Sequence, residues 1–266
     1  MPSAGRFRCL EALPSGSVRP RGTLVLLHAF PLNARMWEPQ LVLADQGWRV
    51  LAPHYRGMDG ATGDRPATSV DDYTADIIDL LDNLHIEEAV FCGLSMGGYV
   101  AFSLFRLAPR YVRGLVLADT RSQADPPEAA EGRQRLLTMV RERGPGAVAD
   151  EMVPKLLGET TRRENPALVE RVRSLILSNS APAIAGAISA LMTRPDSTPT
   201  LSSIHCPTLI IVGEEDTLTP PSMSRDLLRG IAGSELAVIP KAGHLASLEA
   251  PAAFTAALAR FLEHRI

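Results

Sequence analysis

Strand-like and helix-like segments alternate along most of this sequence. That predicts an α/β fold: a mostly parallel sheet with helices on both faces and an inserted helical cap. Three observations carry the prediction. Short apolar runs bounded by turn residues recur at the spacing of βαβ units. The alternation stops at Asp119, gives way to helices alone until Ser202, and then resumes. A glycine-flanked serine, Gly93-Leu94-Ser95-Met96-Gly97, joins one buried run directly to a helical run.

Taken in order, Phe7 to Leu13 reads as a short edge strand ended by Pro14-Ser15-Gly16. Gly22 to His28 is apolar and β-rich, a buried strand leaving into the loop His28-Ala29-Phe30-Pro31-Leu32-Asn33. Ala34 to Gln46 reads as a helix with Asn33 as N-cap and Gly47 at its end. A third strand, Arg49 to Pro53, runs into His54-Tyr55-Arg56-Gly57 and a glycine-rich loop to Ala67. Ser69 caps the next helix, whose first turn carries Asp71 and Asp72 and whose Ile77, Ile78, Leu80, Leu81 and Leu84 fall largely on one side. Ala89 to Cys92 is the strand before the glycine-flanked serine, Gly98 to Ala108 the helix after it, and Val112 to Ala118 a further strand.

The helical stretch divides into 132–144, 146–157, 166–179 and 182–194, punctuated by Gly144-Pro145-Gly146, Gly158 and Asn165-Pro166, with a turn-rich exit from Pro195 to Ser202. The expected organisation is a core of residues 1–120 and 203–266 with a cap, 121–202, inserted after the sixth strand. Pro207 to Gly213 and Glu235 to Pro240 are the closing strands. Ser222 to Ile231 and Pro251 to Glu263 are the closing helices, the second with proline at its start.

The 266 residues, 45% of them hydrophobic and 21% charged, suit a single α/β domain with a large core. A net charge of −3 leaves no electrostatic footprint for nucleic acid or an anionic membrane. Cys9, Cys92 and Cys206 have neither a disulfide framework nor metal-ligand spacing, and Cys92 and Cys206 read as small apolar filler beside buried strands. No signal, membrane-spanning or lipidation pattern is evident, so a cytoplasmic location is the expectation, with no cofactor and no metal.

A strand that turns at once into a helix bends sharply, and flanking glycines leave room for the bend. Gly-x-Ser-x-Gly in that setting is the nucleophile elbow, which projects the Ser95 hydroxyl over the sheet end at a helix N-terminus. A phosphate-binding loop of the Walker type needs Lys-Ser/Thr after its glycines, and none is present. A serine hydroxyl is a poor nucleophile without a base in hydrogen-bond reach. His244, in the loop after the last strand, is the candidate, because sites on open α/β sheets lie beyond the carboxyl ends of the strands. The imidazole in turn needs a carboxylate. Asp216, just past a strand, is the first candidate; Glu214 and Glu215 adjoin it, and Asp119 at the end of the preceding strand is the rival. Two N–H donors for an oxyanion are expected from Met96 and Phe30. The Phe30 ring then lines an acyl pocket or packs in the core.

His28-Ala29-Phe30-Pro31, the elbow at Ser95, Gly213-Glu214-Glu215-Asp216 and Gly243-His244 together resemble the motifs of capped α/β-hydrolases, and the resemblance spans essentially the whole chain. It implies an eight-stranded α/β-hydrolase sheet with Ser, Asp and His in that chain order. Within the superfamily the chain is similar to small bacterial carboxylesterases, 3-oxoadipate enol-lactonases and cofactor-free haloperoxidases. Ala29 replaces the usual glycine of the first motif, and His54-Tyr55 replaces the common Asp-Leu before Arg56-Gly57. Enol-lactonases carry an Asn-Ser-type loop where this chain has His28-Ala29-Phe30, which sets that label lower. Serine at the elbow argues against the dehalogenases and epoxide hydrolases of this fold, which use aspartate there.

The expected function is hydrolysis of small carboxylic esters through an acyl-enzyme, the partner being a small-molecule ester rather than nucleic acid or membrane. Perhydrolysis or lactone cleavage by the same residues is the alternative, and a catalytically silent ligand-binding protein the third reading. Cap helices rich in Leu, Met, Ala and Val imply apolar acyl or alcohol groups. Where the chain enters the cap, Arg121 and Asp125 pair and pin a hinge, or Arg121 faces a substrate carboxylate.

Overall fold

The computed structural model describes residues 8–16, 19–59 and 66–266. The start of the first predicted strand at Phe7 and the middle of the glycine-rich loop before Ala67 lie outside them. The strands are β1 (Cys9–Ala12), β2 (Gly22–Leu27), β3 (Trp48–Pro53), β4 (Ala89–Leu94), β5 (Val112–Ala118), β6 (Thr208–Gly213) and β7 (Glu235–Ile239). They form one sheet in the order β1-β3-β2-β4-β5-β6-β7, with only β1 antiparallel to its neighbour.

Seven strands among the described residues occupy the seven apolar runs read from the sequence, so the eight-stranded sheet that the resemblance implies and an insertion after a sixth strand are corrected to seven strands and an insertion after the fifth. A single antiparallel strand precedes β2, because β1 is stopped by Pro14 and by Gly16 at φ 79°.

All six residues of β4 are buried, as a strand with helices on both faces requires. The chain pairs β2 with β3 on one side and then crosses to place β4 on the other, which makes the gap between β2 and β4 the topological switch point. The loops leaving β2 and β4 flank that gap. The registers Leu27 to Gly93, Leu94 to Ala118, Ala118 to Ile211 and Gly213 to Ile239 bring the carboxyl ends of β2, β4, β5, β6 and β7 to a single rim.

Ala34–Gln46 is helical as expected, with the Asn33 side chain accepting from Arg35 N and Gly47 closing it in the left-handed region. It winds as a 3-10 helix, and Pro39 within it cannot donate a backbone hydrogen bond. The helices α1 (Val70–Asn83) and α2 (Met96–Leu107) follow β3 and β4. Ser69 and Asp72 exchange hydrogen bonds as a capping box at the start of α1.

Between β5 and β6 lie α3 (Pro127–Leu156), α4 (Glu159–Glu164), α5 (Pro166–Leu177) and α6 (Ala181–Thr193). Gly144, at φ 75°, breaks α3 where the Gly-Pro-Gly run predicts a break. The first of these helices begins earlier than expected, at Pro127, a position pre-set for a helical first turn. The short α4 has no counterpart in the sequence reading, and the turn-rich exit contains a 3-10 turn over Thr198–Ser203. After β6 come α7 (Pro221–Gly230), α8 (Ala246–Glu249) and α9 (Pro251–His264). No single helix among the described residues is long and apolar enough to cross a membrane.

Candidate active site

Ser95 joins β4 to α2 at φ 55° and ψ −111°, a conformation that non-glycine residues adopt only when the surroundings enforce it. The surroundings do. A Cβ on Gly97 would lie 2.1 Å from Leu27 O, and one on Gly93 would lie 2.2 Å from Gly97 O, so backbone of β2, β4 and α2 meets with no room for side chains. Ser95 N donates to Ala118 O at 2.9 Å, and Ser95 O accepts from Gly98 N and Thr120 Oγ1, each at 2.9 Å. The turn is therefore tied to β5 as well as to its own helix.

His244 reaches Ser95 across 149 positions of sequence. Its Nε2 lies 2.8 Å from Ser95 Oγ and its Nδ1 lies 2.8 Å from Asp216 Oδ2. Both the imidazole and the carboxylate are buried. The remaining capacity of Asp216 is filled: Oδ1 accepts from Leu218 N at 2.8 Å and Thr219 N at 3.0 Å, and Oδ2 accepts from Thr219 Oγ1 at 2.6 Å. Burial pushes this carboxyl up, but the charge and hydrogen bond of His244 and the two donors of Thr219 outweigh it. The net effect holds Asp216 below the ordinary aspartate range.

The rival acids fall elsewhere. Asp119 is also fully buried at the rim, with Oδ1 accepting from Gly213 N at 2.7 Å and Oδ2 without a partner among the described residues. Burial, with the nearby charge of Asp216, raises its carboxyl well above the ordinary range. Glu215 turns away to accept from Thr160 N and Thr160 Oγ1, tying α4 to the rim, and Glu214 accepts from Lys241 N.

The loop after β2 is held from two sides. His28 is fully buried and its Nδ1–H faces Ala29 O at 3.1 Å, which leaves Nε2 to accept from Tyr55 N at 3.2 Å. Burial pushes this imidazole down to about 3, so it is neutral and joins the β2 and β3 loops. From the helical insertion, Asn179 Nδ2 donates to Pro31 O at 2.8 Å and to Leu32 O at 3.2 Å, while Asn33 Nδ2 donates to Ser178 Oγ at 2.8 Å. Phe30 N and Met96 N have no hydrogen-bond partner among the described residues. The Phe30 ring is buried and lines the cavity described next, so packing and lining coincide.

A cavity of about 520 Å³ opens over Ser95 and His244. Leu136, Met139, Met152 and Leu156 of α3 and Leu191 of α6 supply an apolar wall, in line with the apolar cap expected. The same wall also carries Arg121, Arg133, Arg135 and Lys155, facing Asp125 and Glu151. Arg121 pairs with Asp125 at 2.5 Å as the sequence suggests, but two further guanidiniums share that carboxylate, Arg133 at 3.0 Å and Arg194 at 2.8 Å. Asn179, Arg133 and Arg194 carry no sequence signal of their own, because their partners lie in other elements, whereas Thr219 stands three places after its partner Asp216. No group of three or more His, Cys, Asp or Glu among the described residues is arranged to hold a metal ion.

Residues 22–251 match the family model for the α/β-hydrolase fold. The chain belongs to the α/β-hydrolase family. A thermophilic esterase from Thermogutta terrifontis, in a malate-bound structure, superposes with a TM-score of 0.90 at 36% identity, over 97% of this chain and 93% of that one. The enol-lactonase from Burkholderia xenovorans superposes with a TM-score of 0.88 at 25% identity, over 97% of this chain and 96% of that one. The 3-oxoadipate enol-lactonase 2 of Acinetobacter baylyi is 28% identical over 90% of this chain and 87% of its own length. Enol-lactonases thus stand among the relatives of this chain, a label that the sequence reading sets lower.

Proposed function

We propose that this α/β-hydrolase is a serine carboxylesterase acting on small esters through an acyl-enzyme intermediate, with Ser95, His244 and Asp216 as its catalytic triad. The observation that carries the reading is the unbroken hydrogen-bond path from Ser95 Oγ through both nitrogens of His244 to Asp216 Oδ2, each link 2.8 Å. In the first half-reaction His244 Nε2 takes the hydroxyl proton as Ser95 Oγ attacks the ester carbonyl, then delivers it to the departing alkoxide. Asp216 fixes the tautomer with Nδ1–H and stabilises the imidazolium. The Phe30 and Met96 N–H groups receive the charge that develops on the carbonyl oxygen, Met96 with the added field of the α2 N-terminus. In the second half-reaction water, deprotonated by His244, displaces the acyl group from Ser95.

The helical segment 121–202 serves as a cap that encloses the acyl or alcohol group above the triad. Cleavage of lactones, which runs through the same steps with the leaving alcohol still attached, is supported as a second reading by the two enol-lactonase relatives. Kinetics on a p-nitrophenyl ester series beside a lactone and a peroxide-dependent halide oxidation test the assignment. The expected result is ester turnover exceeding the peroxide reaction and abolished in Ser95→Ala. Halide oxidation as the dominant activity of the wild-type protein overturns it.

A further inference from the structure

We propose that the cavity selects esters carrying a second, ionised carboxylate, and that the guanidiniums of Arg121 and Arg133 hold it. The inference rests on the hydrolase reading above and names the substrate class for the same site.

Three guanidiniums converge on the single carboxylate of Asp125, whose side chain is 3% exposed. One negative charge cannot neutralise three positive ones. Arg194 is accounted for by structure: it also donates to Leu191 O at 2.8 Å and Gln123 O at 3.1 Å, stacks 4.2 Å from the centre of the Tyr99 ring, and lies outside the cavity lining. Arg121 and Arg133 do line the cavity. Arg121 gives Asp125 a single N–H from Nη2, and its Nη1 makes no hydrogen bond among the described residues. Arg133 gives Asp125 its Nε, leaving the terminal nitrogens without a hydrogen bond among the described residues. Two guanidiniums fixed by one shared anion, with donors to spare, form a preorganised fork for a carboxylate.

The rest of the lining strengthens the sign. Glu151 is paired with Lys155, and Arg135 lies 3.9 Å from Glu131, which is outside the cavity. Four cations therefore face two carboxylates, Asp125 and Glu151, within walls otherwise supplied largely by Leu and Met. A low-dielectric cleft with an excess of one sign concentrates ligands of the other. Because Ser95 and His244 line the same cavity, an anion held at Arg121 and Arg133 belongs to the molecule whose ester faces Ser95.

The test pairs monoethyl succinate with ethyl butyrate, which share acyl length and alcohol and differ in the terminal carboxylate. In the wild-type protein kcat/KM for monoethyl succinate is expected to exceed that for ethyl butyrate by about tenfold or more, with the advantage shrinking as salt is added. Arg133→Gln and Arg121→Gln are each expected to lower that ratio about tenfold, chiefly through KM. Arg133→Gln carries the test alone if Arg121→Gln does not fold. Equal kcat/KM for the two esters, or a ratio that neither substitution moves, overturns the proposal. Calorimetric titration of the Ser95→Ala protein with both esters reads the anion site without turnover. Tighter binding of monoethyl succinate that Arg133→Gln removes supports it, and equal affinities overturn it. Failure of the wild-type protein to cleave either ester counts against the hydrolase reading, while the titration decides the anion site separately.

Discussion

The sheet rim and the cap solve opposite electrostatic problems. At the rim the carboxylate Asp216 receives four hydrogen bonds, from His244, Leu218 and twice from Thr219, while burial raises the carboxyl of its neighbour Asp119 above the ordinary range. In the cap one carboxylate, Asp125, faces three guanidiniums, and Nη1 of Arg121 and the terminal nitrogens of Arg133 make no hydrogen bond among the described residues. The rim is a finished circuit and the cap an open one. Under the proposed function, groups that move a proton at a fixed geometry gain from being over-determined, whereas groups that receive a charged ligand gain from keeping donors free.

The contrast between the two buried rim acids gives the largest expected effect. Asp216→Asn should lower kcat by about 10³–10⁴, because the imidazole loses the partner that fixes its tautomer. Asp119→Asn, which touches neither His244 nor Ser95, should lower kcat by less than about tenfold in the same assay. Equal losses at the two positions would mean that the acid is shared.

Closeness of backbone at the elbow sets the next effect. With its Cβ 2.1 Å from Leu27 O, Gly97→Ala forces β2 and α2 apart and should cost about 2–3 kcal/mol or more by urea unfolding. In the cap the corresponding probe is Arg194, which is nearly fully buried and satisfies two backbone carbonyls. Arg194→Met should cost about 2 kcal/mol, whereas Arg133→Gln, partly exposed, should cost less than about 1 kcal/mol. Were Arg133 the costlier of the two, its role would be structural rather than ligand-binding.

A further effect is a pH slope from the rim. Burial pushes His28 down to about 3 and His54 down to about 4, both from 6.5. The unfolded chain binds these protons near pH 6.5 and the folded chain only well below it. Stability should therefore be complete above about pH 6.5 and decline as pH falls toward the folded values, by about 1.4 kcal/mol per pH unit for each ring. Thermal melts that do not change between about pH 7 and pH 5 would contradict neutral burial of these rings.

What was legible in the sequence follows the same division. Buried strands announce themselves as apolar runs, and Ser95 and His244 are marked by neighbours in the chain: glycines around one, the last strand and Gly243 before the other. Asp216 and Asp119 both lie just beyond strands, and only the 2.8 Å approach of His244 Nδ1 to Asp216 separates them. Asn179, Arg133 and Arg194 act through partners brought close by folding, so their spacing along the chain holds no trace of the contact, whereas Thr219 bonds an aspartate three places before it. The strand count shows the same division: the apolar runs mark the seven strands that form, and the eighth is implied only by the resemblance to capped α/β-hydrolases.

The most direct measurement is acid-quench mass spectrometry of the protein during turnover of a slowly deacylated p-nitrophenyl ester, with the modified peptide sequenced. The expected result is a mass gain of one acyl group on the peptide containing Ser95, formed at the rate of the p-nitrophenolate burst and missing from Ser95→Ala. An acyl group on any other residue, or undiminished ester turnover in Ser95→Ala, contradicts Ser95 as the nucleophile.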